Sequence, residues 1–273
     1  MHIAIIGSGT AAKTLPAHLA ELAAASGDSA ALVDPRLSAF ALSAYERLVV
    51  DLGYVDAMQS TPAQAADAIL INSFADYGLD AARAVSNVPI IGAGEATLNA
   101  ASDHGRRPFS IVTVWPASMR FLYEERLRSL GLTNVCKSVR HVSQEEELRK
   151  LGSDDDVMQR MARHDDTIVE RLIAECERAV REDGARAIAL GCTCMAPVGP
   201  ALSAHVSVPV FESSRTGLRA AIDRARGGER NVPIAQRADL VPHIVSAWAG
   251  TASNAPQIHT EGDCPVCIVG EQT

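Results

Sequence analysis

With 273 residues, 47% of them hydrophobic and 21% charged, the chain can bury a large core, and its length fits one big domain or two lobes of ordinary size. A formal charge of -8, with no basic run longer than pairs such as Arg106-Arg107, argues against a nucleic-acid surface, which relies on clustered Lys and Arg; a small-molecule ligand is expected instead. No stretch approaches the ~20 apolar residues of a bilayer span, and the N-terminus shows neither a basic n-region nor a cleavable apolar segment. The protein is therefore expected to be cytoplasmic, with its six cysteines reactive, metal-binding or buried rather than a disulfide framework.

The chain opens on His2-Ile3-Ala4-Ile5-Ile6-Gly7, a buried strand entering a turn. Short apolar runs then alternate with amphipathic stretches. Strands are predicted at 3–6, 30–33, 68–71, 90–91, 110–114, 187–190 and 208–211, and helices at 11–25, 39–52, 117–130, about 155–182 and 216–225. That alternation is the pattern of β-α units around a parallel sheet. The longest helical stretch carries Val157, Met161, Ile168, Leu172, Ile173 and Cys176 at near-helical spacing, so one face should pack on a sheet. Cys136 falls at a strand edge with no partner motif, and Cys176 reads as a buried helix residue. The tail holds Cys264-Pro265-Val266-Cys267 with His259 upstream; zinc sites usually need two such pairs, so it reads as a flexible or subunit-contacting tail.

A repeat organises these elements. Ala66-Asp67-Ala68-Ile69-Leu70-Ile71-Asn72-Ser73 matches Ala185-Arg186-Ala187-Ile188-Ala189-Leu190-Gly191-Cys192, and each is followed by a Val-Pro pair opening a further strand, at Val88-Pro89 and Val208-Pro209. The fold expected is α/β, with two similar parallel-sheet lobes related by a pseudo-twofold axis and an active site in the cleft between them. Residues 1–105 plus 213–250 would form the first lobe, 106–212 the second and 251–273 a C-terminal tail. Ligands of open α/β sheets bind beyond the carboxyl ends of the strands, where Ser73 and Cys192 both fall. Two side chains reaching a shared cleft from opposite sides is the chemical reading; a duplication kept only for architecture is the other.

Ser73-Phe74-Ala75-Asp76-Tyr77-Gly78-Leu79-Asp80-Ala81 resembles the first active-site motif of hydantoin racemases, in which a Cys opens a Cys-Phe-x-Asp-x-Gly-Leu-Asp-Ala pattern. Leu190-Gly191-Cys192-Thr193-Cys194-Met195-Ala196 is similar to their second, and Phe109–Thr113, Ser138-Val139-Arg140 and Glu182-Asp183-Gly184-Ala185 fall in the same order. Over residues 1–225 the chain thus resembles the aspartate/glutamate/hydantoin racemase superfamily. The resemblance implies a homo-oligomeric isomerase that needs neither cofactor nor metal. One thiolate would remove a proton from a carbon beside a carbonyl while the opposing group delivers a proton to the other face. Thiols suit this task because backbone amides and helix N-termini can tune their pKa towards neutrality.

Cys192 is then the main proton-transferring residue and Ser73 its catalytic counterpart, a departure from the family's first Cys. A serine hydroxyl is too weak an acid to relay protons alone. Either this is a Cys→Ser variant of a two-cysteine racemase, catalytically impaired, or it is a natural one-thiol enzyme, as in arylmalonate decarboxylases. Gly7-Ser8-Gly9-Thr10 replaces an Asn-Pro-Asn-Thr-Ser loop and lacks the third glycine of a dinucleotide site. Cys194 replaces a Gly, as a bystander or a second thiol. Ser8, Thr10, Tyr45, Phe74, Thr113 and Thr193 are candidates for binding the small-molecule substrate, against ordinary turn-capping and core roles. Glu46 beside Tyr45 and Glu95 in Gly92-Ala93-Gly94-Glu95 are weaker candidates, and His141 and His164 read as surface or core residues. A non-catalytic small-molecule binder remains the alternative of a different class.

Overall fold

The computed structural model describes residues 1–7, 14–37, 39–235 and 237–251, with side chains to Trp248. Ser8, Thr10, His259, Cys264 and Cys267 lie outside these described residues. Among the described residues no helix is long and apolar enough to cross a membrane.

The chain divides into two compact units. The first comprises Met1–Asn72, Tyr77–Gly92 and the chain from Leu218. Its four parallel strands, β1 (His2–Ile6), β2 (Ser29–Val33), β3 (Ala68–Ile71) and β4 (Ile90–Gly92), lie in the order β2-β1-β3-β4. Every residue of β3 is buried, so the strand is covered on both faces and reads as the continuous apolar run typical of parallel sheets. Tyr54, Val55 and Met58 of the helix Ala44–Met58 join Ile6, Ile69 and Ile71 in the core. That helix begins later than its predicted start at 39 because Ser43 caps it, its Oγ accepting from Tyr45 N at 3.2 Å.

The second unit, Ser73–Asp76 with Ala93–Gly217, repeats the plan. Strands β5 (Phe109–Thr113), β6 (Cys136–His141), β7 (Ile188–Leu190) and β8 (Val210–Phe211) lie parallel in the order β6-β5-β7-β8. Both sheets thus follow one strand order, second-first-third-fourth, as the sequence repeat requires. The β6 strand escaped prediction because it lies at the sheet edge beside β5, none of its six residues is buried and Val139 stands among polar neighbours, leaving no apolar run to detect. The single helix expected over 155–182 is two, Val157–Ala162 and Asp166–Asp183. His164 between them takes a φ of 55°, and Asp165 restarts the helix by accepting from Ile168 N at 3.2 Å. The helix Ala93–Ser102 belongs to this second unit and packs on β7 and β8.

Candidate active site

Beyond β7 the chain turns sharply, and the turn sets the position of Cys192. The Gly191 N–H still follows the sheet, donating to Val112 O at 2.9 Å, while Thr193–Met195 already coil as a single 3-10 turn. Gly191 is required here by packing: a Cβ would sit 2.9 Å from the Thr113 Cβ and 3.0 Å from the Tyr123 ring. Cys192 is half-buried at the head of the turn, and the Cys194 N–H donates to its Sγ at 3.1 Å. The expectation of free thiols is corrected at this point, because Cys192 and Cys194 form a disulfide. One residue of 3-10 turn brings their Cα atoms to 5.2 Å, inside the range a disulfide spans. Cys136 and Cys176 remain free; burial pushes their thiols up to about 11 and about 12, so both stay protonated and unreactive near neutrality.

Tyr123, from the helix Arg120–Ser129, organises the end of this sheet. Its hydroxyl donates to Gly191 O at 3.0 Å and lies 2.6 Å from Thr113 Oγ1. With its one proton committed to Gly191, Tyr123 accepts from Thr113, whose Oγ1 in turn accepts from Trp115 N at 3.3 Å. The fully buried Thr113 thus holds the strand ends together. The Tyr123 ring also packs against Phe74 at 5.5 Å and His141 at 5.9 Å. His141 bonds Trp115 O through Nδ1 at 3.0 Å, which requires the proton on Nδ1, and burial lowers its pKa, so the ring is neutral.

Phe74 links the first motif to the second. Ser73, half-buried, accepts from Ala75 N at 3.3 Å through Oγ and from Asp76 N at 3.2 Å through its carbonyl. The tight turn puts Asp76 at a φ of 50°, a conformation Asp tolerates better than most residues. Its carboxylate caps the helix Ala93–Ser102, accepting from Gly94 N at 2.8 Å and Glu95 N at 2.7 Å. Arg126 Nη1 stands 3.6 Å from Oδ2. Burial nevertheless dominates and pushes the Asp76 carboxyl up to about 7, against the opposing pull of Arg126 and the two N–H groups.

Between the ordinary value of 3.8 and about 7 the unfolded chain has lost the Asp76 proton while the native chain keeps it. Asp76 therefore makes the protein less stable as pH rises through that interval. Urea unfolding of Asp76→Asn should show a flatter pH dependence there than the unsubstituted protein, and a loss of about 1–3 kcal/mol from the weakened helix cap. Parallel pH profiles would mean that Asp76 does not titrate in this interval.

The remaining candidates separate by place. Phe74 is buried and walls the Tyr123 cluster, and Thr193 is half-buried beside Cys192, its carbonyl accepting from Ser214 Oγ at 3.3 Å. Tyr45 is 78% exposed at the start of its helix in the first unit. Glu46 bonds Ser43 Oγ and Glu95 begins the helix capped by Asp76, which are local structural duties. Sequence reasoning missed Tyr123, whose only signal is its place on the buried face with Leu122 and Leu127. Asp76 stands in the first motif, but its capping duty depends on a helix that lies 17 residues further on. Glu212 is another unforeseen buried carboxylate: it caps the helix Ser213–Arg226 through Ser214 N at 2.7 Å and Arg215 N at 3.0 Å, and burial raises its pKa. Among the described residues no group of three or more His, Cys, Asp or Glu side chains is placed to hold a metal ion.

Comparison with known proteins agrees with this arrangement. Residues 3–221 match the family model described as Asp/Glu/Hydantoin racemase. A hydantoin racemase of Pseudomonas sp. (strain NS671) is 29% identical over 203 residues, 74% of this chain and 76% of that protein. The crystal structure of an allantoin racemase from Pseudomonas fluorescens superposes with a TM-score of 0.69 at 25% identity, covering 87% of this chain and 96% of that one. Arylmalonate decarboxylase shares the fold, with a TM-score of 0.55 at 21% identity over 85% of this chain and 96% of the other.

Proposed function

Since the chain belongs to the Asp/Glu/hydantoin racemase family, we propose that it racemises a small carbonyl compound with an acidic α-carbon, a hydantoin or an amino-acid-like acid, by cofactor-independent thiol chemistry. The observation that carries this reading is Cys192 at the carboxyl end of β7, half-buried, with a backbone N–H directed at its sulfur. Once reduced, that N–H favours the thiolate, and the thiolate removes the α-proton. Ser73 takes the second catalytic position, joined to the Cys192 turn through Phe74, Tyr123 and Gly191. Amides following each residue would stabilise the enolate formed between the two proton transfers. Thr193, Ser8 and Thr10 are the hydroxyls proposed to meet substrate. The relatives named for hydantoin and allantoin favour a cyclic ureide over an open-chain acid.

A second reading is favoured by the hydroxyl at Ser73, which leaves Cys192 without an opposing thiol. In a decarboxylase of the arylmalonate type, carbon dioxide leaves one face and Cys192 protonates the enolate from the other. Single enantiomers of hydantoins, aspartate and glutamate, incubated in heavy water with a thiol reductant, should take up deuterium at the α-carbon and lose optical rotation. Carbon dioxide release from substituted malonates would select the decarboxylase. Tight binding with neither reaction would reject both in favour of a binder.

A further inference from the structure

We propose that Cys192 and Cys194 together form an oxidative modification site, closed to a disulfide by peroxides and reopened by dithiol reductants. The structure holds the pair bonded, with Cα atoms 5.2 Å apart. The pairing has no architectural duty that would explain it. A bridge across a single intervening residue closes a minimal loop and so removes little entropy from the unfolded chain. The turn is already held by other bonds, from Met195 N to Cys192 O at 3.1 Å and from Ser214 Oγ to Thr193 O at 3.3 Å. Both cysteines are half-buried, so small oxidants and reductants reach them, whereas Cys176 is buried outright.

The chemistry balances with two named reagents. The Cys192 thiolate attacks a peroxide oxygen and becomes a sulfenic acid, releasing hydroxide. Cys194, already within bonding reach, attacks that sulfur and displaces water. In sum, two thiols and one hydrogen peroxide give one disulfide and two waters. A dithiol such as dithiothreitol reverses the bond by two exchange steps and leaves as its own cyclic disulfide. The resolving thiol also protects Cys192, because a sulfenic acid trapped as disulfide does not proceed to the irreversible sulfinic state. The consequence for activity rests on the reading of Cys192 as the proton-transferring thiol: bonded sulfur is neither base nor acid.

The test uses the full chain, reduced, desalted and treated with stoichiometric hydrogen peroxide. Peptide mapping after alkylation should show Cys192 and Cys194 losing reactivity together, with a mass loss of about 2 Da on their shared peptide. Dithiothreitol should restore both. In Cys194→Ala, peroxide should instead leave a sulfenic acid on Cys192 that dimedone captures, and excess peroxide should destroy the thiol beyond rescue. α-Proton exchange should fall in proportion to the bonded fraction in the unsubstituted protein and recover with reductant. Cys192 and Cys194 remaining separately alkylatable, or Cys192 bonding to Cys264 or Cys267, would overturn the inference. A disulfide that forms and reopens in a protein inactive even when reduced supports the modification site and rejects the racemase reading, so the two failures are distinguishable.

Discussion

Ser73→Cys is expected to raise the rate of α-proton exchange by about 10²–10⁴-fold, the range that a well-placed acid or base contributes. Two-sided proton transfer needs a group on each face whose pKa lies near the working pH. A thiol can be tuned to meet that condition, whereas the Ser73 hydroxyl does not without an adjacent base. Its Oγ has a structural partner in the Ala75 N–H, 3.3 Å away, and among the described residues no carboxylate or imidazole bonds it. Sulfur in the same place would accept that N–H and gain thiolate character from it. The local frame should survive the exchange, since Asp76 and Phe74 hold the turn independently of the side chain at 73. Deuterium incorporation and polarimetry on a single hydantoin enantiomer measure the gain. An unchanged rate would mean that this face is not built to handle protons.

Cys192→Ala should abolish turnover under either reading, a loss of about 10²–10⁴-fold or more in kcat. In the racemase the thiolate begins the reaction; in the decarboxylase the thiol ends it by protonating the enolate. Little of the loss should come from unfolding, because Cys192 is half-buried and the bonds that set the turn, Gly191 N to Val112 O and the Tyr123 hydroxyl to Gly191 O, do not involve its side chain. A urea unfolding curve within about 1 kcal/mol of the unsubstituted protein would establish this. Retained activity would remove Cys192 from the mechanism, whichever substrate is turned over.

Much of this protein is legible without coordinates, for a definite reason. The strands at 3–6, 68–71 and 187–190 are buried on both faces, so every residue in them is apolar and the run itself announces a parallel strand. The matching segments ending at Ser73 and Cys192 report a repeated plan, and the two sheets duly share one strand order. Those signals are short-range: they depend on what each residue must exclude from water within its own element.

What tertiary structure alone decided depends on partners distant in sequence. Strand β6 has no apolar run because it lies at an edge, and its existence follows from β5 being there to pair with it. Tyr123 looks like an ordinary helical aromatic until folding delivers its hydroxyl to Gly191, 68 residues away. Asp76 looks like a solvated turn residue until the helix Ala93–Ser102 and Arg126 enclose it and burial shifts its titration. Even the neighbours Cys192 and Cys194 needed the 3-10 turn before their sulfurs could meet. Composition and periodicity record which side of each element faces inward; the identity of what waits there is set by packing between elements that no local pattern encodes.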